Sequence, residues 1–126
     1  MQLANPELLR TDSFIAGQWQ SADSRFSVIN PATEQVIAQV AEADVDAAIS
    51  AAVAAQREFA NSTASERAAF LLRWHQLVLA NLTDLAQILT AEAGKPLQEA
   101  QAEIRYAASF IEWFAAEALR VTGDNL

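Results

Sequence analysis

The residues of this sequence whose types and spacing could do chemistry are a pair of acids, a lone histidine, a lysine after glycine, a serine and an aromatic ridge. Glu99 and Glu103 lie one helical turn apart, as a general acid and its base could, but near a helix N-terminus such acids more simply answer the helix dipole. His75 stands beside Trp74 with no second histidine or cysteine at ligand spacing, so it reads as a surface or boundary residue rather than a metal ligand or base. Gly94-Lys95 would cradle a phosphate only with glycine five residues earlier and Ser or Thr after the lysine. Leu89 and Pro96 occupy those places. Ser109 has no local histidine and reads as a small residue at a packing contact. Tyr106, Phe110 and Trp113, spaced i, i+4, i+7, share one helix face; they could line a hydrophobic tunnel, although aromatic stripes more commonly belong to a core.

What is missing narrows the chemistry further. Three glycines, Gly17, Gly94 and Gly123, cannot write a dinucleotide fingerprint, and with no cysteine there is no thiolate nucleophile, disulfide or sulfur-ligated metal. Eight basic residues against sixteen acidic ones, a net charge of −8, exclude a phosphate-binding surface and with it nucleic acid as a partner. No apolar run is long enough for a membrane span, and no basic n-region precedes an h-region. These features predict a cytoplasmic protein that makes no membrane contact. An apolar content of 52% argues for burial rather than disorder.

The elements that must position these residues can be read from periodicity. The ridge lies on a long helix from Pro96 to Val121, opened by the proline at its first position and closed by Arg120 and a left-handed Gly123. Leu97, Ile104, Ile111 and Ala118, flanked by Ala100, Ala107, Phe114 and Val121, predict its inward stripe. With the ridge added, only Gln98, Arg105 and Glu112 remain as a polar strip, more apolar surface than the rest of the chain looks able to cover. Ahead of it, the first ten residues read as an arm or frayed tail. Phe14 to Trp19 reads as a tight hairpin about Ala16-Gly17, and further short strands flank a turn at Asn30-Pro31. Asp44 caps a helix burying Val45, Ile49, Ala52 and Val53. Thr63 and Glu66 form a capping box for a second helix burying Phe70, Leu71, Trp74, Leu77 and Val78. Asn81 or Thr83 starts a third, with Leu85, Ile88 and Leu89 inward, closed by Gly94. The fold class is α+β by content and dominated by helix: small antiparallel strands followed by four helices.

The order of Phe14-Ile15-Ala16-Gly17-Gln18-Trp19, Val28-Ile29-Asn30-Pro31-Ala32-Thr33, Asp44-Val45-Asp46-Ala47-Ala48, Glu66-Arg67 and Glu92-Ala93-Gly94-Lys95-Pro96 resembles the N-terminal portion of the aldehyde dehydrogenase superfamily. Glu103 to Phe114 is most similar to the NAD(P)-dependent succinate-semialdehyde dehydrogenases. Ala16 and Glu34 depart from the pattern, which usually has Asn and often Gly there. The resemblance implies that residues 1–126 are an incomplete N-terminal part of the cofactor-binding domain, helices and an edge sheet around a Rossmann-like core supplied by later sequence. It implies an enzyme oxidising an aldehyde to an acid with NAD or NADP, through a cysteine and a glutamate that this chain lacks. No catalytic or cofactor-binding residue, and no bound cofactor, is therefore expected here. It further implies a cation site at the backbone of Val28 and Ile29 with Glu92, a tunnel lined by Tyr106, Phe110 and Trp113, and a homo-oligomer. The chain's partners would be itself and the remainder of the enzyme. The competing reading is a free-standing helical oligomerisation or interaction protein that uses its surplus apolar surface to bind itself or another chain.

Overall fold

The computed structural model describes residues 1–121. Its strands are β1 (Ser13–Ile15), β2 (Gln18–Gln20), β3 (Arg25–Ile29) and β4 (Val36–Ala41), followed by helices α1 (Val45–Phe59), α2 (Ala64–Ala80), α3 (Leu82–Ala93) and α4 (Leu97–Ala118). The strands make two separate antiparallel hairpins, β1–β2 and β3–β4, rather than one small sheet. A backbone bond from Ala41 N–H to Thr11 O, 2.7 Å, ties one hairpin to the segment leading into the other.

Turn chemistry explains both hairpins. Ala16 and Gly17 have φ of 53° and 79°, the paired left-handed conformation of a two-residue hairpin turn, and Phe14 faces Trp19 across it with ring centroids 5.0 Å apart. An alanine in that conformation costs about 1–2 kcal/mol, which the aromatic pair helps to offset. Glu34 is likewise left-handed, φ 58°, at the end of the β3–β4 loop. Ala16 and Glu34, where the sequence departs from the pattern it otherwise resembles, are the two non-glycine residues with positive φ among the described residues. In the same loop the Asn30 side chain accepts the Ala32 N–H at 2.9 Å, as the Asn-Pro turn requires.

Each helix start follows its expected capping residue. The Asp44 carboxylate accepts the Ala47 N–H at 2.9 Å, and Thr63 and Glu66 form a reciprocal capping box. Asn81 both ends α2 and opens α3; its side chain donates back to Leu77 O at 2.8 Å and caps nothing ahead of it. Gly94 closes α3 at φ 71°, and a Cβ there would lie 2.7 Å from Pro31 Cγ, so glycine permits both the turn and the approach of the β3–β4 loop. Pro96 is the cap of α4 rather than its first helical residue, because its ψ of 143° is extended. Gly123, expected to close the helix, lies outside the described residues.

The N-terminal arm is docked, not frayed. The Ala4 and Asn5 N–H groups donate to the two carboxylate oxygens of Asp84 at 3.0 and 2.7 Å, Gln2 N–H donates to Gln87, and Arg10 stacks 4.8 Å over Trp19. Asp84, only 6% exposed, is buried on the strength of those bonds.

Burial differs most from expectation. Apart from Ile15 and Asp84, the buried residues among those described are alanines: Ala41, Ala68, Ala86, Ala100, Ala108 and Ala115. Val45, Ile49 and Val53 of α1, and Phe70, Trp74 and Leu77 of α2, all expected inward, are exposed, as are Leu97, Ala107 and Phe114 of the long helix and Val121, expected in that helix but lying beyond its end at Ala118. The chain exposes 9315 Å², whereas a folded monomer of its mass exposes about 6,600 Å². Apart from Asp84, the fully buried helix residues are alanines; Leu71, Val78, Leu85, Ile88, Leu89, Ile104 and Ile111 are half-buried, and the large aromatic side chains of α2 and α4 are exposed.

Candidate functional site

The candidate site is the outward face of α4. Its inward face, Ala100, Ile104, Ala108, Ile111 and Ala115, packs on α2 and α3, with small residues at the closest approaches. Helical geometry then turns Tyr106, Phe110 and Trp113 outward, 65%, 48% and 64% exposed. The structure brings these three together as the spacing predicted, but on the surface and not in a core. Tyr106 and Phe110 meet edge to face at 4.9 Å, and Ser109, exposed rather than packed, donates its hydroxyl to Tyr106 O at 2.7 Å. Beside them runs a furrow of about 540 Å³ lined by Ser109, Phe110, Glu112, Trp113, Phe114 and Ala116. All of those residues belong to one helix, so the furrow has a floor and no opposing wall.

The other residues singled out by sequence fall elsewhere. Glu103 pairs with Lys95, and Glu99 lies in the first turn of α4, where an acid opposes the helix dipole, so the two do not form a catalytic couple. Val28 and Ile29 end β3 at an irregularity in the ladder: Val28 faces Ala38 and Ile29 faces Val36, leaving Ile37 unpaired. Glu92 is on the last turn of α3, and the Gly94–Pro31 contact brings that helix end against the loop following Ile29. Backbone carbonyls with one carboxylate form a hard-oxygen donor set, the kind that alkali and alkaline-earth cations take. Among the described residues no three His, Asp or Glu side chains gather into a metal cluster.

His75, read as a surface or boundary residue, stands at a helix boundary, whereas nothing in the sequence singles out Asp84. His75 is half-buried where α2 meets α4, its Nδ1 2.9 Å from Ala108 O. Its place on the face of Ala64, Ala68, Leu71 and Val78 was a usable signal. Asp84 had none, since its partners are backbone N–H groups some eighty residues away.

A sequence profile of the aldehyde dehydrogenase family matches residues 19–126. The chain belongs to the aldehyde dehydrogenase family. It is 47% identical to the succinate semialdehyde dehydrogenase of Acinetobacter baylyi over 98% of its length, and 46% identical to the 3-sulfolactaldehyde dehydrogenase of Pseudomonas putida over all of it. The crystal structure of succinate-semialdehyde dehydrogenase from Burkholderia pseudomallei superposes on the whole chain with a TM-score of 0.94 at 51% identity. In each case the chain spans 27% of the relative, and it corresponds to an N-terminal segment of these oxidoreductases. Gly17 sits in a hairpin turn and Gly94 lies against Pro31, and neither leads from a parallel strand into a helix as in a glycine-rich dinucleotide fingerprint. No described helix is long and apolar enough to cross a membrane.

Proposed function

We propose that this chain is part of the cofactor-binding domain of an NAD(P)-dependent aldehyde dehydrogenase that oxidises succinate semialdehyde, or another short aldehyde with a distal anionic group, to the acid. The observation that carries the reading is the 51% identity and 0.94 TM-score to a succinate-semialdehyde dehydrogenase across the whole chain. The nicotinamide, when bound, supplies the hydride acceptor, and the family chemistry uses a cysteine thiolate as nucleophile. This sequence has no cysteine, so its residues contribute shape and not bond-making. Tyr106, Phe110 and Trp113 form one apolar wall of the passage to the aldehyde, which excludes water and selects for slender substrates. The Val28 and Ile29 carbonyls with Glu92 hold a monovalent or divalent cation that braces the end of α3. Large outward side chains on α1, α2 and α4 are the contact surface for the rest of the enzyme and, in the chain by itself, for a second copy.

The test is a replacement of the matching segment of the Acinetobacter baylyi enzyme by residues 1–126, following reduced nicotinamide formation. Continued oxidation of succinate semialdehyde is expected, and the chain alone turns over no aldehyde. A correctly assembled chimera inactive on succinate semialdehyde, glutarate semialdehyde and 3-sulfolactaldehyde alike overturns the reading. For the cation site, crystals grown with cations should show an ion at oxygen-coordination distances; density at hydrogen-bond distances alone would count against it.

A further inference from the structure

We propose that His75 is a positioning residue: it fixes the register of α4 on α2 by donating its Nδ1–H to the Ala108 carbonyl, and so sets where the aromatic ridge stands. The seam it crosses is otherwise apolar, with Ala68, Leu71 and Val78 on α2 against Ile104, Ala108, Ile111 and Ala115 on α4. An apolar seam of this kind repeats with the helical turn, so packing alone discriminates weakly between placements about one turn, 5.4 Å, apart. A single directional hydrogen bond in an apolar helix contact makes one register better than its neighbours, as one buried asparagine does in a coiled coil.

The geometry meets that requirement. Nδ1 lies 2.9 Å from the oxygen, and a carbonyl can only accept, so Nδ1 carries the proton. Ala108 is 1% exposed, and its carbonyl has a second lone pair to offer beside its intrahelical bond. Among the described residues this is the one side-chain hydrogen bond between α2 and α4. Ala108 stands two residues after Tyr106 and two before Phe110, so the bond grips α4 in the middle of the ridge. A slip of one helical turn would carry the rings about 5.4 Å along the axis.

The experiment compares His75→Asn, His75→Gln and His75→Leu in the full chain by NMR. An asparagine amide nitrogen takes the place of Nδ1, whereas the glutamine amide nitrogen falls nearer Nε2. The wild type should show a slowly exchanging Hδ1 coupled to the Ala108 carbonyl carbon, and its absence overturns the proposal without any variant. His75→Asn should keep the wild-type cross-peaks between Leu71 or Val78 and Ile104 or Ile111; His75→Leu should retain helix content but double the signals of Ala108, Ile111 and Trp113. A single wild-type register in His75→Leu, or equal behaviour of Asn and Leu, overturns it. If His75→Leu unfolds, His75→Gln carries the comparison. The catalytic consequence rests on the function proposed above. In the active chimera His75→Leu should raise KM for the aldehyde roughly tenfold with a smaller change in kcat, and His75→Asn should restore it. An active chimera whose KM ignores His75 defeats this inference alone, and an inactive chimera defeats the functional reading alone, leaving the NMR register to decide.

Discussion

The two faces of α4 carry opposite solutions to the same problem. Inward, alanines at 100, 108 and 115 let backbones approach and bury little area per residue; outward, Tyr106, Phe110, Trp113 and Phe114 offer large areas that none of the described residues covers. The contrast recurs on α2, where Ala68 is buried and Phe70 and Trp74 are not. On both helices the fully buried positions are alanines, and the largest aromatic side chains are the exposed ones.

The largest effect should come from breaking the outward face. Burying a large apolar side chain is worth about 1.5–3 kcal/mol, and several left in water would consume much of the roughly 5–15 kcal/mol by which a domain is stable. At micromolar concentration the chain should therefore sediment as a homo-oligomer, a two-fold dimer being the commonest closed solution. Phe110→Glu with Trp113→Glu should weaken association by at least about tenfold while leaving helix content unchanged. A monomeric wild type that these substitutions do not alter would mean that the ridge needs no cover.

The inward face gives the next test, and a paired one. Ala107 and Ala108 are neighbours in sequence, but Ala107 is exposed and Ala108 lies in the seam. Ala108→Leu should destabilise the chain by about 1–3 kcal/mol through overpacking, against about 0.5 kcal/mol or less for Ala107→Leu. Equal midpoints for the two in urea unfolding would erase the distinction between the faces. Gly94 joins helix to hairpin, and Gly94→Ala should cost about 1–2 kcal/mol for its left-handed φ alone. The approach to Pro31 adds to that, so Pro31→Ala should recover part of the loss. No recovery would show that the strain is purely conformational.

Much of the fold was legible because it is written locally. The capping residues Asp44 and Thr63, the box with Glu66, the Ala16-Gly17 turn and the glycine closing α3 act within a few residues of themselves, and each stands where periodicity placed it. Inward and outward could not be assigned by hydrophobicity, because Leu97 and Ala100 both count as apolar while only Ala100 is buried. The same ambiguity placed Tyr106, Phe110 and Trp113 correctly on one face and left open what faces them. Contacts distant in sequence carried no local signal at all: the Asp84 clamp on the arm and the Gly94–Pro31 approach appear only once the chain is folded.

The smallest effect belongs to the N-terminus of α2, whose capping-box hydrogen bonds join Thr63 and Glu66 and reach no residue of α4, so changing it should leave the ridge undisturbed. Glu66 is held below the usual carboxylate range, first by the Thr63 N–H it accepts and then by the Thr63 hydroxyl, with burial opposing weakly and Arg67 adding a little. A group whose pKa is depressed on folding stabilises the fold above its unfolded value, near 4.3 for glutamate, and that contribution is lost as pH falls through the folded value. Glu66→Gln keeps an acceptor for the Thr63 N–H but has no charge to lose. Wild type should thus be more stable than Glu66→Gln at pH 7, with the two converging in acid below about pH 4. Thr63→Ala, which removes the hydroxyl that both donates to Glu66 and caps the helix but keeps the backbone N–H, should cost about 0.5–2 kcal/mol at neutral pH. Because the box fixes only the first turn, neither variant should change the Ala108 carbonyl signal or the chain's association. If either does, α2 transmits its N-terminal geometry along the seam, and the separation between the two faces of α4 is less complete than their burial indicates.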